Sequence, residues 1–132
     1  MSFLLDTNSW IQFLNGRSEK IRHRLASTHP GDIAFCSVVK AELVYGAVKS
    51  ARPGENIARI QSVAERFESF PFDDDAAQVY GVIRARLERS GRPIGPNDLF
   101  IAAIALSRGA TLVTHNTREF TRVEGLVLED WQ

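Results

Sequence analysis

Four side chains in this sequence could together hold a hard cation: the carboxylates of Asp6, Glu42 and Asp98 and the amide of Asn116. Each stands at a change of pattern. Asp6 closes the apolar run Phe3, Leu4, Leu5, and Asn116 follows a second apolar run that ends near Thr114. Glu42 and Asp98 fall in the first turns of stretches with helical spacing. Gathered in a partly dry cleft, three carboxylates repel one another strongly, and protons or cations must relieve that repulsion. An all-oxygen set of Asp, Glu and Asn suits Mg²⁺ or Mn²⁺ far better than zinc. Such an ion holds a phosphate oxygen, acidifies a bound water and stabilises the charge of the transition state. The competing chemistry is a nucleophilic aspartate at position 6. Phosphatases of that kind usually need a second acid two residues on, where this chain has Asn8.

Positioning these groups takes buried strands and amphipathic helices, and the hydrophobic pattern supplies both. The uninterrupted apolar run Phe3–Leu5 predicts a strand buried on both faces. A helix is expected over 9–15, capped by Thr7 or Asn8 and stopped by Gly16, and another over Glu19–Ser27, capped by Ser18 and basic at Lys20, Arg22 and Arg24. Residues 33–39 predict a second strand, 41–48 a helix carrying Glu42, 50–56 a loop and 57–67 a long helix. Pro71 makes the short apolar stretch 70–72 an edge strand. The triplet Asp73, Asp74, Asp75 opens a helix to about residue 90, as capping and dipole groups. After a connector at 91–96, Asn97 is expected to cap a helix over 99–107 that Gly109 ends. Strands follow at 110–114 and 126–128. Short strands alternating with helices give an α/β fold with a central, mostly parallel sheet of four to five strands and the first strand in the middle. Strand ends and the starts of the following helices share one edge of such a sheet, so Asp6, Glu42 and Asn116 can converge there. Asp98 sits on a helix that leads into a strand, and its arrival there depends on packing.

The bulk properties narrow the class. At 132 residues the chain is expected to be one domain, 1–132. Sixteen basic and sixteen acidic residues leave no formal net charge, which argues against a general nucleic-acid coating protein but not against a basic rim around an acidic site. The single Cys36 excludes an internal disulfide and a multi-cysteine metal site. No apolar stretch approaches a membrane span, and no basic segment precedes the first apolar run, so a cytoplasmic protein is expected.

LLDTN at the start, AELVYGA around Glu42, GRPIGPND followed by FIAA, LVTHNTREF and the closing RVEGLVLEDW occur in this order along the chain. Together they resemble the PIN-domain toxins of VapBC toxin–antitoxin modules, and the likeness spans essentially the whole chain. It implies a PIN-like three-layer α/β/α sandwich and an Mg²⁺-dependent endoribonuclease, with Mn²⁺ able to substitute. Asp6 and Asp98 would be the principal metal ligands, and Glu42 a further ligand, direct or through water, or the group that orients the attacking water. The family's fourth position, Asp or Asn, falls on Asn116, with Glu119 as the alternative. Thr7, Asn8 and Thr114 would be supporting residues. RNA approaching an acidic pocket needs basic surroundings; Lys40, Arg92 and Arg118 are the leading candidates, with Arg84, Arg86, Arg89 and Arg122 nearby in sequence. The resemblance further implies transfer RNA as substrate, notably initiator tRNA cut in its anticodon loop. It implies a VapB-type antitoxin that puts a basic side chain into the site, a toxin homodimer, and promoter DNA bound only through the antitoxin. Apolar residues of 57–67 and of LVYGAV are candidates for those protein contacts. A non-catalytic PIN-like binding module and a metal-dependent DNA nuclease are the alternatives.

Overall fold

The chain was described from a computed structural model covering residues 1–132. Five strands, β1 (Phe3–Leu5), β2 (Ile33–Cys36), β3 (Glu68–Phe70), β4 (Thr111–Val113) and β5 (Leu128–Glu129), form one sheet in the order β3-β2-β1-β4-β5. Every pair is parallel. Seven helices connect them: α1 (Thr7–Leu14), α2 (Glu19–Ser27), α3 (Ser37–Val48), α4 (Pro53–Ala64), α5 (Asp74–Arg89), α6 (Pro96–Arg108) and α7 (Thr117–Phe120). The strand order reverses between β1 and β4. Right-handed crossovers then put α1 to α4 on one face of the sheet and α5 and α6 on the other. A crevice opens at such a reversal, beyond the carboxyl ends of the two strands. Asp6 follows β1 and Thr114 follows β4, so both lie there.

The core explains why strands this short hold. Leu4, Leu5, Phe35, Leu112 and Val113 are fully buried, so the sheet is covered on both faces. Trp10 of α1 stacks on Phe35 of β2, with ring centroids 4.0 Å apart and planes 7° apart, and Phe67 tilts against both. Such a pair adds about 0.5–1.5 kcal/mol to the burial of its area. On the other face Tyr80 of α5 stacks on Phe100 of α6 at 4.6 Å, and Phe72 packs edge-on to both. No helix is long and apolar enough to cross a membrane.

Several boundaries differ from expectation, each for a local reason. α1 begins at Thr7 because the capping acceptor is Asp6, not Thr7 or Asn8: its Oδ1 accepts from Ser9 N at 2.9 Å. β2 ends at Cys36 and α3 starts directly after it, which places Glu42 in the second helical turn. α4 starts at Pro53, since proline suits a first helical position where no N–H bond is needed. β3 lies two residues earlier than the expected 70–72 and ends before Pro71, which cannot donate to a ladder; the strand is at the edge, as expected. β5 lies one or two residues later than the apolar pattern placed it. Ser18 and Asp73 cap as expected. Gly109 closes α6 at φ +63°, left-handed backbone that favours glycine.

Candidate active site

Asp6 is buried, at 6% exposure, and both its oxygens are held. Oδ1 caps α1, and Oδ2 accepts the hydroxyl proton of Thr114 at 2.6 Å. The same Thr114 oxygen accepts the backbone N–H of Asn116 at 2.9 Å. One fully buried threonine therefore joins the end of β1 to the turn that carries Asn116. Glu42 reaches the same edge from α3. Thr7 Oγ1 donates to its Oε1 at 2.5 Å, and Asn97 Nδ2 donates to its Oε2 at 3.2 Å.

Asp98 arrives because α6 runs back into β4 with only Gly109 and Ala110 between them. That short return forces α6 antiparallel to β4, so its first turn stands where β4 ends. The helix is 13 residues long, about 20 Å at 1.5 Å per residue, so its start overhangs the sheet edge. Burial first, and then the negative charges of Glu119, Asp6 and Glu42, together push the Asp98 carboxyl up from its ordinary 3.8 to about 6. Three carboxylates from three other elements thus act on Asp98, and no hydrogen bond offsets them.

Glu119 is the strongest of those charges. Its Oε2 accepts from Asn116 Nδ2 at 2.9 Å and its Oε1 from Gly95 N at 3.0 Å. The Asn116 bond, then the Gly95 N–H, hold this carboxyl below its ordinary value against a smaller opposing effect of burial, and the Arg122 charge helps. Asn116 thus spends its N–H₂ group on orienting a carboxylate. Glu119 lies one turn later in sequence, and α7 turns it back toward the start of α6.

Asn97 was read in the sequence only as a cap. The N-cap of α6 is Gly95, and it makes no side-chain bond. The signal was the polar pair Asn97-Asp98 directly after Pro96: with proline at the first helical position, two polar side chains project from one turn at the sheet edge. Asn8 is exposed, and His115 pairs with Asp130 at 3.0 Å.

As they stand, no three acidic side chains are gathered tightly enough to ligate one ion, and protein donors hold Asp6, Glu42 and Glu119. The donor set still fits a hard divalent cation: four carboxylates, an amide, and in Asp98 a carboxyl that burial and like charge leave in need of a positive neighbour. Zinc chemistry does not fit, because no cysteine or histidine belongs to the cluster.

A family model for the PIN domain matches residues 3–126. The chain is 44% identical over 131 residues to the tRNA(fMet)-specific endonuclease VapC of Shigella flexneri, covering 99% of this chain and 98% of that protein. This chain belongs to the PIN-domain VapC family. A further VapC relative, ribonuclease VapC2 of Rickettsia felis, is 37% identical over 132 residues, with 99% and 98% covered. The crystal structure of DNA-bound VapBC from Salmonella typhimurium superposes with a TM-score of 0.95 at 41% identity, covering 100% of this chain and 99% of that one. The α/β sandwich with its central parallel sheet is the VapC architecture.

Around this VapC site, Arg92 and Arg118 are exposed, and Lys40 is half-buried with Nζ 5.8 Å from the Phe35 ring. Arg84 is tied to Glu88 and Tyr80, Arg86 is 3.9 Å from Glu124, and Arg122 donates to Pro93 O. A groove of about 280 Å³ starts at Glu42 and runs between α1, α3 and α4, over Ile11, Leu14, Leu43 and Ile60, with Arg59 on its rim. Of the LVYGAV stretch, Leu43 and Ala47 are buried, while Val44, Tyr45 and Val48 are 41%, 63% and 57% exposed. In α4 Ile60 is buried, and Ile57, Val63, Ala64 and Phe67 pack against the core.

Proposed function

We propose that this chain is the toxin of a toxin–antitoxin module, an Mg²⁺-dependent endoribonuclease in which Mn²⁺ can substitute, and that residues 1–132 work as one PIN domain. The observation that carries this reading is the convergence of Asp6, Glu42 and Glu119 on Asp98 at the sheet reversal. A bound ion would hold a phosphate oxygen and acidify a water there. Asp6 and Asp98 would be the principal ligands, positioned by the end of β1 and the start of α6. Glu119 completes the acidic set, held in place by Asn116. Thr114 and Ser9 N–H fix Asp6 so that its carboxylate does not swing when charge arrives. Glu42 would orient the attacking water. Lys40, Arg92 and Arg118 offer positive charge to RNA phosphates at the rim of an acidic centre.

The substrate follows from the relatives: the Shigella flexneri protein is named as specific for tRNA(fMet), so initiator tRNA is the expected target, cut in its anticodon loop. Unpaired loop bases can be splayed and read, whereas paired RNA cannot. The partner is a VapB-type antitoxin, by likeness to the solved VapBC complexes. The apolar groove beginning at Glu42 suits its inhibitory segment, which can lead a basic side chain to the site. The toxin pairs as a homodimer, and promoter DNA is bound through the antitoxin. Its RNA substrate places its work in the cytoplasm.

Purified antitoxin-free protein incubated with total tRNA and Mg²⁺ should yield a few discrete fragments. EDTA and Asp6→Ala should each abolish them. Cleavage that survives Asp6→Ala would overturn the site, and no cleavage of any RNA by the metal-supplied protein would point to a binding module.

A further inference from the structure

We infer that Asn97 is a positioning residue that keeps Glu42 in place as a water-orienting carboxylate beside the metal ligands; this rests on the ribonuclease reading above. Nothing in the local structure of α6 needs an asparagine here. Gly95 is the N-cap, Pro96 occupies the first helical position, and the Asn97 side chain caps nothing. Its Nδ2 instead crosses to α3 and donates to Glu42 Oε2 at 3.2 Å, while Thr7 of α1 donates to the other oxygen. Each Glu42 oxygen is thus gripped by a neutral donor from a different helix.

Neutral donors are what this position requires. A lysine or arginine would fix Glu42 as firmly, but its charge would cancel part of the field that draws a divalent cation. Asn97 also neighbours Asp98, so one helical turn sets both Asp98 and the distance from it to Glu42. With one acceptor site of each oxygen already occupied, Glu42 keeps the others for a water. Direct ligation by Glu42 would not need this clamp.

Asn97→Asp separates the roles. An acidic residue in the first turn of a helix is favoured by the helix dipole, so a merely structural position tolerates the change with stability and turnover intact. In the positioning role the change removes the donor and sets a like charge against Glu42. The expected result is a fall in kcat of about 10- to 100-fold, typical of lost support around a metal site. KM for RNA should stay within roughly threefold, and circular dichroism should show the fold retained. Mn²⁺ titration calorimetry of Asn97→Ala should give the wild-type affinity. A tenfold loss there would make Glu42 a direct ligand and overturn the inference, as would a wild-type kcat in Asn97→Asp. In the metal-free protein without RNA, the Asn97 side-chain amide signals should move on Glu42→Gln in NMR spectra; unmoved signals overturn the contact. A wild-type protein that cuts no RNA counts against the ribonuclease reading instead, and the amide signals still decide whether Asn97 holds Glu42.

Discussion

Replacing Asp98 by asparagine should make the metal-free protein more stable while abolishing its activity. The side chain is nearly isosteric and loses only its charge. In the folded state the carboxyl is raised from 3.8 to about 6, first by burial and then by Glu119, Asp6 and Glu42. A raised acid binds its proton more tightly in the folded state, so its contribution to stability is whole below about pH 4 and is lost as pH rises through 6. At 1.36 kcal/mol per pH unit this is about 3 kcal/mol at neutral pH. Asp98 is only half-buried, and solvent screening cuts the figure to about 1–2 kcal/mol. The lost attraction of a charge for the start of α6 removes roughly 0.5 kcal/mol more. The net gain of about 1 kcal/mol corresponds to a rise of about 3–5 °C for a chain of this size. Thermal melts of both proteins in EDTA, from pH 4 to pH 7.5, give the test. The two curves should coincide near pH 4 and separate as pH rises, with the variant higher. Mg²⁺ should then lift the wild type and leave the variant unmoved. A variant that melts lower at neutral pH, or a gap that does not change with pH, refutes the crowding of like charge at Asp98.

Three further outcomes follow from the same contacts. Thr114→Val removes the 2.6 Å donor to Asp6 and the acceptor of Asn116 N–H in a fully buried position, and should cost about 1–3 kcal/mol in urea unfolding. Trp10→Ala removes the ring stacked on Phe35 and should cost about 3–5 kcal/mol, read as a lower urea midpoint by circular dichroism. Asn116→Ala should raise the Glu119 carboxyl toward its ordinary value, because the Asn116 bond is the main cause of its depression. Carbon-13 NMR titration reads that directly. A lowered acid stabilises the fold above its ordinary value and loses that contribution as pH falls, so the variant should be less stable at neutral pH and no different in strong acid.

Much of this molecule was legible from periodicity. Phe3–Leu5 had to be a central strand because nothing polar interrupts it, and Asp6 at its end had to lie at the sheet edge. Contacts that depend on direction were not legible. Which side chain caps α1 depends on the turn after β1, and there Asp6 outcompetes Thr7 and Asn8. Whether Asp98 reaches the site depends on the sense of α6, and the two-residue return to β4 decides it. That spacing was present in the sequence, and with it the geometry follows. The division of labour between Asn116 and Glu119 was not present. It arises where α7 folds one turn back onto Gly95, a contact that crosses from one loop to another and leaves no periodic trace.

Cation binding to the metal-free protein tests the central claim most directly. Titration calorimetry with Mn²⁺, run at about pH 5.5 and about pH 7.5 in buffers of different ionisation heat, reports affinity and protons released together. Binding should occur at both pH values, should release protons at the lower one, where Asp98 must give up its proton, and should release almost none at the higher. It should disappear in Asp6→Asn and in Asp98→Asn. Unchanged binding in both variants, or no binding by the wild type, would contradict a cation site built from these carboxylates.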